Sequence, residues 1–209
     1  CFQYYGLALT AADSVFQLAK PLIFGMTVAL LSMFLTFHLV KYDCNESFVY
    51  REASKTVVWG KQAFKALLTS LLFALYTTLC AIVIGGFTLR PWINWGSEQS
   101  AFATETGVLA PSASFWQVAG LFLLTVFLLM AADNFLVLLL HWLTNRYLTG
   151  WAVVLALSVA DFIGIQVGGV LYPVYYGVFA MNYARWTDPV GSALRLLYPI
   201  LLILALFFA

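Results

Sequence analysis

Charge is what this sequence has least of. Only 9% of its 209 residues are Asp, Glu, Lys or Arg, against 63% that are apolar. A water-soluble domain carries about 25% charged residues. This chain therefore cannot assemble a polar exterior, and the solvent its composition suits is hydrocarbon. No sign of charge dominates: ten basic side chains against nine acidic ones give a net charge of +1. That balance excludes the broad basic surface a nucleic acid needs. Cysteine is rare, and Cys1, Cys44 and Cys80 show neither a disulfide framework nor a CxxC metal pair. With two histidines, His38 and His141, a zinc site lacks ligands. A haem would need those two as a facing axial pair; two interfacial rings are the plainer reading. A glycine-rich phosphate loop, a GxSxG elbow and a HExxH helix are all missing. The expectation is a chain with no catalytic site, no bound metal and no cofactor.

Aromatic residues and long apolar runs fill the space that charge leaves. Seven Trp, eleven Tyr and eighteen Phe suit interfacial belts and packed helix faces. A transmembrane helix needs about 20 apolar residues. Residues 21–40 and 66–87 meet this without charge, 115–140 with the single acid Asp133, and 147–171 with the single acid Asp161. Residues 196–209 are apolar but shorter, and read as a truncated fifth span. None alternates with the period of two that a membrane barrel requires. The predicted fold class is all-α: one polytopic transmembrane helical bundle over 1–209, with five spans and room for a sixth upstream. The opening at Cys1 instead of Met, and the abrupt apolar end at Ala209, read as part of a longer polypeptide. No basic leader of a signal peptide precedes the first run.

The connections set an orientation. Residues 41–65 carry Lys41, Arg51, Lys55, Lys61 and Lys65, and the turn at 141–146 adds Arg146. The other side has Lys20 in the opening segment, Arg90 in the external loop 88–114, and Arg185 and Arg195 in the external loop 172–195. Basic residues stay on the cytoplasmic side, so 41–65 is expected inside and the N-terminus outside, in a multi-pass protein of the cell membrane. The first twenty residues, with Asp13 and Lys20, suit either an external amphipathic helix or the tail of an upstream span.

Asp43-Cys44-Asn45-Glu46 has the form of a capping box. It predicts a short amphipathic cytoplasmic helix from Asp43 or Ser47 through Lys55. The chain would then re-enter the membrane past Trp59 and bend at Gly60. Across this stretch Asp43, Ser47, Tyr50, Arg51, Glu52, Ser54, Lys55, Trp59 and Lys61 follow one another between two spans. In this the sequence resembles the small membrane subunits of ABC-2 type exporters, best over residues 20–90. The resemblance implies six spans and a coupling helix docked on a separate ATP-binding cassette subunit. It also implies a second copy or a similar permease chain as partner. Ser47, Tyr50, Arg51, Glu52 and Lys55 would be the docking contacts. The cargo it implies is apolar or amphipathic: a peptide, a toxin or a lipid-like molecule.

Acids inside spans are costly, at about 2.5–3.5 kcal/mol near a helix centre. Asp133, its neighbour Asn134, and Asp161 are therefore candidates for a polar patch in a translocation path, or for links between helices. Glycine pairs occur at Gly85-Gly86 and Gly168-Gly169, and Gly164-x-x-x-Gly168 is a small-xxx-small motif that permits close helix contact. Tyr172, Pro173 and Gly177 suit either a re-entrant external element or an aromatic loop. The sequon at Asn45-Glu46-Ser47 would be idle on the cytoplasmic side. Two other readings stand beside the exporter: a non-transporting subunit of another membrane complex, and an enzyme acting on lipid. The last would need a base or metal next to Asp133 and Asp161.

Overall fold

Ser54 decides where the longest helix begins. Its backbone is extended (φ −161°, ψ 156°), and its hydroxyl oxygen accepts from the Val57 N–H at 3.3 Å. A side-chain oxygen that serves one of the first free N–H groups is what starts a helix. The computed structural model describes residues 3–4, 7–18, 27–41, 54–89, 91–107, 109–167 and 189–208. A two-residue antiparallel pair, β1 (Gln3–Tyr4) with β2 (Leu7–Ala8), leads into α1 (Ala11–Leu18). Then follow α2 (Ala29–Val40), α3 (Lys55–Thr88), α4 (Ala101–Thr106), α5 (Phe115–Thr144), α6 (Tyr147–Val167) and α7 (Pro189–Phe208). Apart from the small β pair, the regular elements among the described residues are helices.

Two helices, α3 and α5, are long and apolar enough to cross a membrane. At 1.5 Å per residue they are about 51 and 45 Å long. They run antiparallel, and α5 lies at the centre, in contact with α1, α2, α3, α6 and α7. Its stretch from Leu128 to Phe135 is buried without interruption.

The surface of α3 reverses the usual arrangement. The residues it buries include Gln62, Ala63, Ala66, Ser70, Ala74 and Gly85. The residues it exposes include Phe64 at 66%, Leu72, Leu79, Ile84 and Phe87 at 88%. Small side chains let backbones approach closely, and bulky apolar ones are turned outward. The hydroxyls on the inner face are satisfied within the helix: Thr69 donates to Lys65 O (2.8 Å), Ser70 to Ala66 O (2.7 Å) and Thr78 to Ala74 O (2.7 Å). Such back-bonding is what lets Ser and Thr sit inside an apolar helix.

Close packing concentrates at the far end of α3. A Cβ at Gly85 would collide with the Ser14 side chain and lie 3.0 Å from the Ala11 carbonyl oxygen. One at Gly86 would lie 2.7 Å from the Trp92 ring. So α1 crosses α3 at the first glycine and Trp92 lies on the second. Asp13, buried in α1, accepts from the Thr10 N–H (2.7 Å), the Thr10 hydroxyl (2.8 Å) and the Trp95 indole (3.0 Å). Trp95 stacks on Phe102 of α4 at 4.1 Å. Gly107, at φ 71°, closes α4 in the left-handed region that glycine adopts freely.

Several predicted boundaries move. The helix expected over 66–87 starts eleven residues earlier, at Lys55, because Ser54 caps it and exposed lysines do not stop a helix. Extended backbone at Ser54 also separates Lys55 from any helix beginning at Asp43 or Ser47, and α3 continues through Gly60, where a bend was expected. The helix expected over 115–140 runs on to Thr144. It ends where Asn145 turns left-handed (φ 54°) and its N–H reaches the His141 carbonyl at 2.7 Å. The truncated fifth span is a full helix of 20 residues from Pro189, with Pro199 inside it. Of the span at 21–40, the described helix is Ala29–Val40, and of that at 147–171 it is Tyr147–Val167. Of the opening residues, Ala11–Leu18 form a short helix packed across the end of α3 at Gly85.

Candidate functional site

The lysine-bearing end of the bundle gathers residues from three helices. Here α3 begins, and α5 and α7 end. The Trp59 indole donates to the Phe207 carbonyl at 2.9 Å, so the start of α3 is tied to the end of α7. The Trp142 indole donates to Gln62 Oε1 at 2.7 Å, tying the end of α5 to α3. Gln62 is wholly buried. A buried amide needs such a partner, since an unserved one costs about 1–3 kcal/mol. The two indoles meet edge to face at 5.8 Å, and Trp59 also meets Phe135 at 6.5 Å. Between them lies a pocket of about 490 Å³, lined by Lys55, Thr56, Trp59, Gly60, Trp142 and Phe207. Leu139, Leu143 and Phe208 complete its wall. Around the same end, Tyr147 meets Phe37 edge to face (4.4 Å) and lies tilted against His141 (4.5 Å), and Lys65 reaches the Leu39 carbonyl (3.4 Å). His38 packs on Phe34 at 4.7 Å. The two histidines thus rest on aromatic neighbours.

A second polar group lies deep in the bundle. Asn134 is 1% exposed, and its Nδ2 donates to Ser32 Oγ at 3.0 Å and to Ser70 Oγ at 2.8 Å. One amide thereby joins α2, α3 and α5. Both of its N–H bonds are used, while its Oδ1 accepts no hydrogen bond among the described residues. Asp133, also 1% exposed, precedes it. Thr36, one turn beyond Ser32 on α2, is buried with its hydroxyl likewise unbonded among the described residues. Interhelical amide and hydroxyl bonds of this kind hold helices in register where water is excluded.

The site residues expected from sequence are distributed unevenly. Ser47, Tyr50, Arg51 and Glu52 lie outside the described residues, as do the capping box at 43–46 and the segment 172–188. Lys55 is the first residue of α3, is exposed, and lines the pocket. Asn134 links helices, one of the two roles open to it. Asp161 falls on α6, and its side chain lies outside the described residues. Gln62, Ser32 and Ser70 were not singled out. Gln62 had no signal, because it lies between Lys61 and Lys65 in a stretch that reads as loop. The two serines had none, because their partner sits on another helix. Among the described residues no three metal-ligating side chains come together.

No family model matches the chain, and no curated protein or solved structure is similar to it.

Proposed function

We propose that this chain is a multi-pass subunit of the cell membrane and the permease half of an ABC exporter, moving an apolar or amphipathic cargo. The membrane part of the reading rests on the reversed surface of α3. Eleven large apolar side chains of that helix are exposed. Burying such a side chain is worth about 1.5–3 kcal/mol. Even at half that each, leaving them in water would cost as much as the whole net stability of a soluble domain, about 5–15 kcal/mol. Hydrocarbon removes the cost, and small residues on the inner face give the helices their contact. The lengths of α6 and α7, 21 and 20 residues, also match a hydrocarbon core of about 30 Å.

The exporter part rests on the resemblance of residues 43–61 and on where its ends lie. Lys41 ends α2 and Ser54 begins α3 at the same end of the bundle, as the Lys65 to Leu39 bond indicates. A motor subunit engaging Arg51 and Glu52 would act next to the start of a rod 34 residues long, which begins at Lys55. By the excess of lysine, that end faces the cytoplasm. Extraction from native membranes with identification of co-purifying chains tests this. An ATP-binding cassette subunit is the expected companion. Recovery with a redox or secretion complex and no ATPase would make the chain an accessory subunit instead. In the assembled transporter, Arg51→Glu is expected to leave ATP hydrolysis but lower transport per ATP.

A further inference from the structure

We propose that the pocket at the start of α3 holds one acyl chain of an anionic phospholipid, with the lipid phosphate on Lys55. The inference rests on the reading that α3 and α5 cross a bilayer. The walls are apolar in effect as well as in name. Both tryptophans spend their indole N–H inside the protein, Trp59 on the Phe207 carbonyl and Trp142 on Gln62. They therefore offer ring carbon to an occupant. Leu139, Leu143, Phe207 and Phe208 add hydrocarbon.

The mouth is cationic. Lys55 is the one charged side chain among the described lining residues, and the Thr56 hydroxyl stands beside it. Ser54 serves the N–H groups of Val57 and Val58. Those of Lys55 and Thr56 are left at the positive end of the helix dipole. An apolar container with a positive rim fits an anionic amphiphile and repels a cation. The volume, about 490 Å³, lies in the usual range of small-ligand sites, about 300–1,000 Å³. Rim residues Leu143 and Phe208 are strongly exposed, so the pocket opens on a surface that lipid tails would cover. A phospholipid of the lysine-side leaflet has both the tail and the charge at this depth, where Trp and Lys mark the interface.

Gly60 gives a clean way to close the pocket. A Cβ there meets nothing within 4 Å, and Gly60 lines the pocket, so the side chain of Gly60→Leu starts without a clash and takes up pocket space. The full complex, reconstituted in nanodiscs, is exposed to phosphatidylglycerol or phosphatidylcholine carrying the same photoactivatable acyl chain. Adducts are mapped by digestion. Phosphatidylglycerol is expected to label residues 55–60 and 139–143 about fivefold more than phosphatidylcholine, the gain one lysine gives near an anionic surface. Lys55→Gln should abolish the preference, and Gly60→Leu should abolish labelling by both lipids. Equal labelling by the two lipids in the unaltered protein, or labelling that survives Gly60→Leu, overturns the proposal. A detergent-dependent protein with no adduct at these residues sinks the lipid site alone. A chain that stays in water without detergent sinks the bilayer reading with it.

Discussion

Glycine has opposite uses at two positions in this chain. At Gly150 a Cβ would stand 2.8 Å from the Val137 Cα, where α6 crosses α5. Backbone cannot yield as a flexible side chain can, so Gly150→Ala should destabilise, by about 1–3 kcal/mol as for other overpacked sites. At Gly60 the space is open, and Gly60→Ala should stabilise by about 0.5–1 kcal/mol through reduced backbone entropy. Thermal unfolding in one detergent compares the two, and equal shifts would contradict the close approach at Gly150. Asn134 makes a different kind of contact, with two donors spent on two other helices. Asn134→Ala should cost about 0.6–1.7 kcal/mol, the range for single interhelical bonds in membranes. A double-mutant cycle with Ser70→Ala should show coupling. Additive losses would mean that the amide and the hydroxyl act separately.

Among the elements, α3 teaches most about what a sequence makes visible. Its apolar core was legible at once, since residues 66–87 hold no charge. Its first three turns were not, because Lys55, Lys61 and Lys65 made them look like loop. A helix tolerates lysine wherever the ammonium can reach water, and the start is set by one hydroxyl, that of Ser54. The capping box at Asp43 to Glu46 drew attention upstream to a stronger local pattern. Ser54→Ala should cost about 1 kcal/mol and fray the turn that carries Lys55, seen as faster amide exchange over 55–58. The bundle's other end was less legible. Asp13 and Trp95 are 82 positions apart in the chain, yet they share a hydrogen bond. Their pairing depends on α1 lying across Gly85, which no spacing announces. Asp13→Ala should release Trp95 and raise amide exchange through 91–107.

At the scale of the molecule, sidedness is the quantity that the lysines predict. Single cysteines at Lys61 and Gln99, both exposed, are expected to report opposite faces. An impermeant thiol reagent added outside intact cells should label Gln99→Cys and spare Lys61→Cys. The reverse pattern would invert the bundle and remove the motor-facing role of residues 41–54. The helical class came from the long apolar runs, none of which alternates with a period of two. Which helix is central did not: α5 has an apolar content like its neighbours, and its position follows from contacts made by five other helices.

The glycine pair at the far end of α3 has a mechanical consequence. There the rod is gripped, with α1 seated against Gly85 and the Trp92 ring against Gly86. Near its beginning the ties are of another kind: two indole hydrogen bonds, from Trp59 to the end of α7 and from Trp142 at the end of α5 to Gln62, with open space beside Gly60. A beam held hard at one end passes a load at its other end to whatever is fastened there. A sideways push at Ser54 is therefore carried by those two indole bonds into α5 and α7, while the clamped glycines act as the fulcrum and hardly travel.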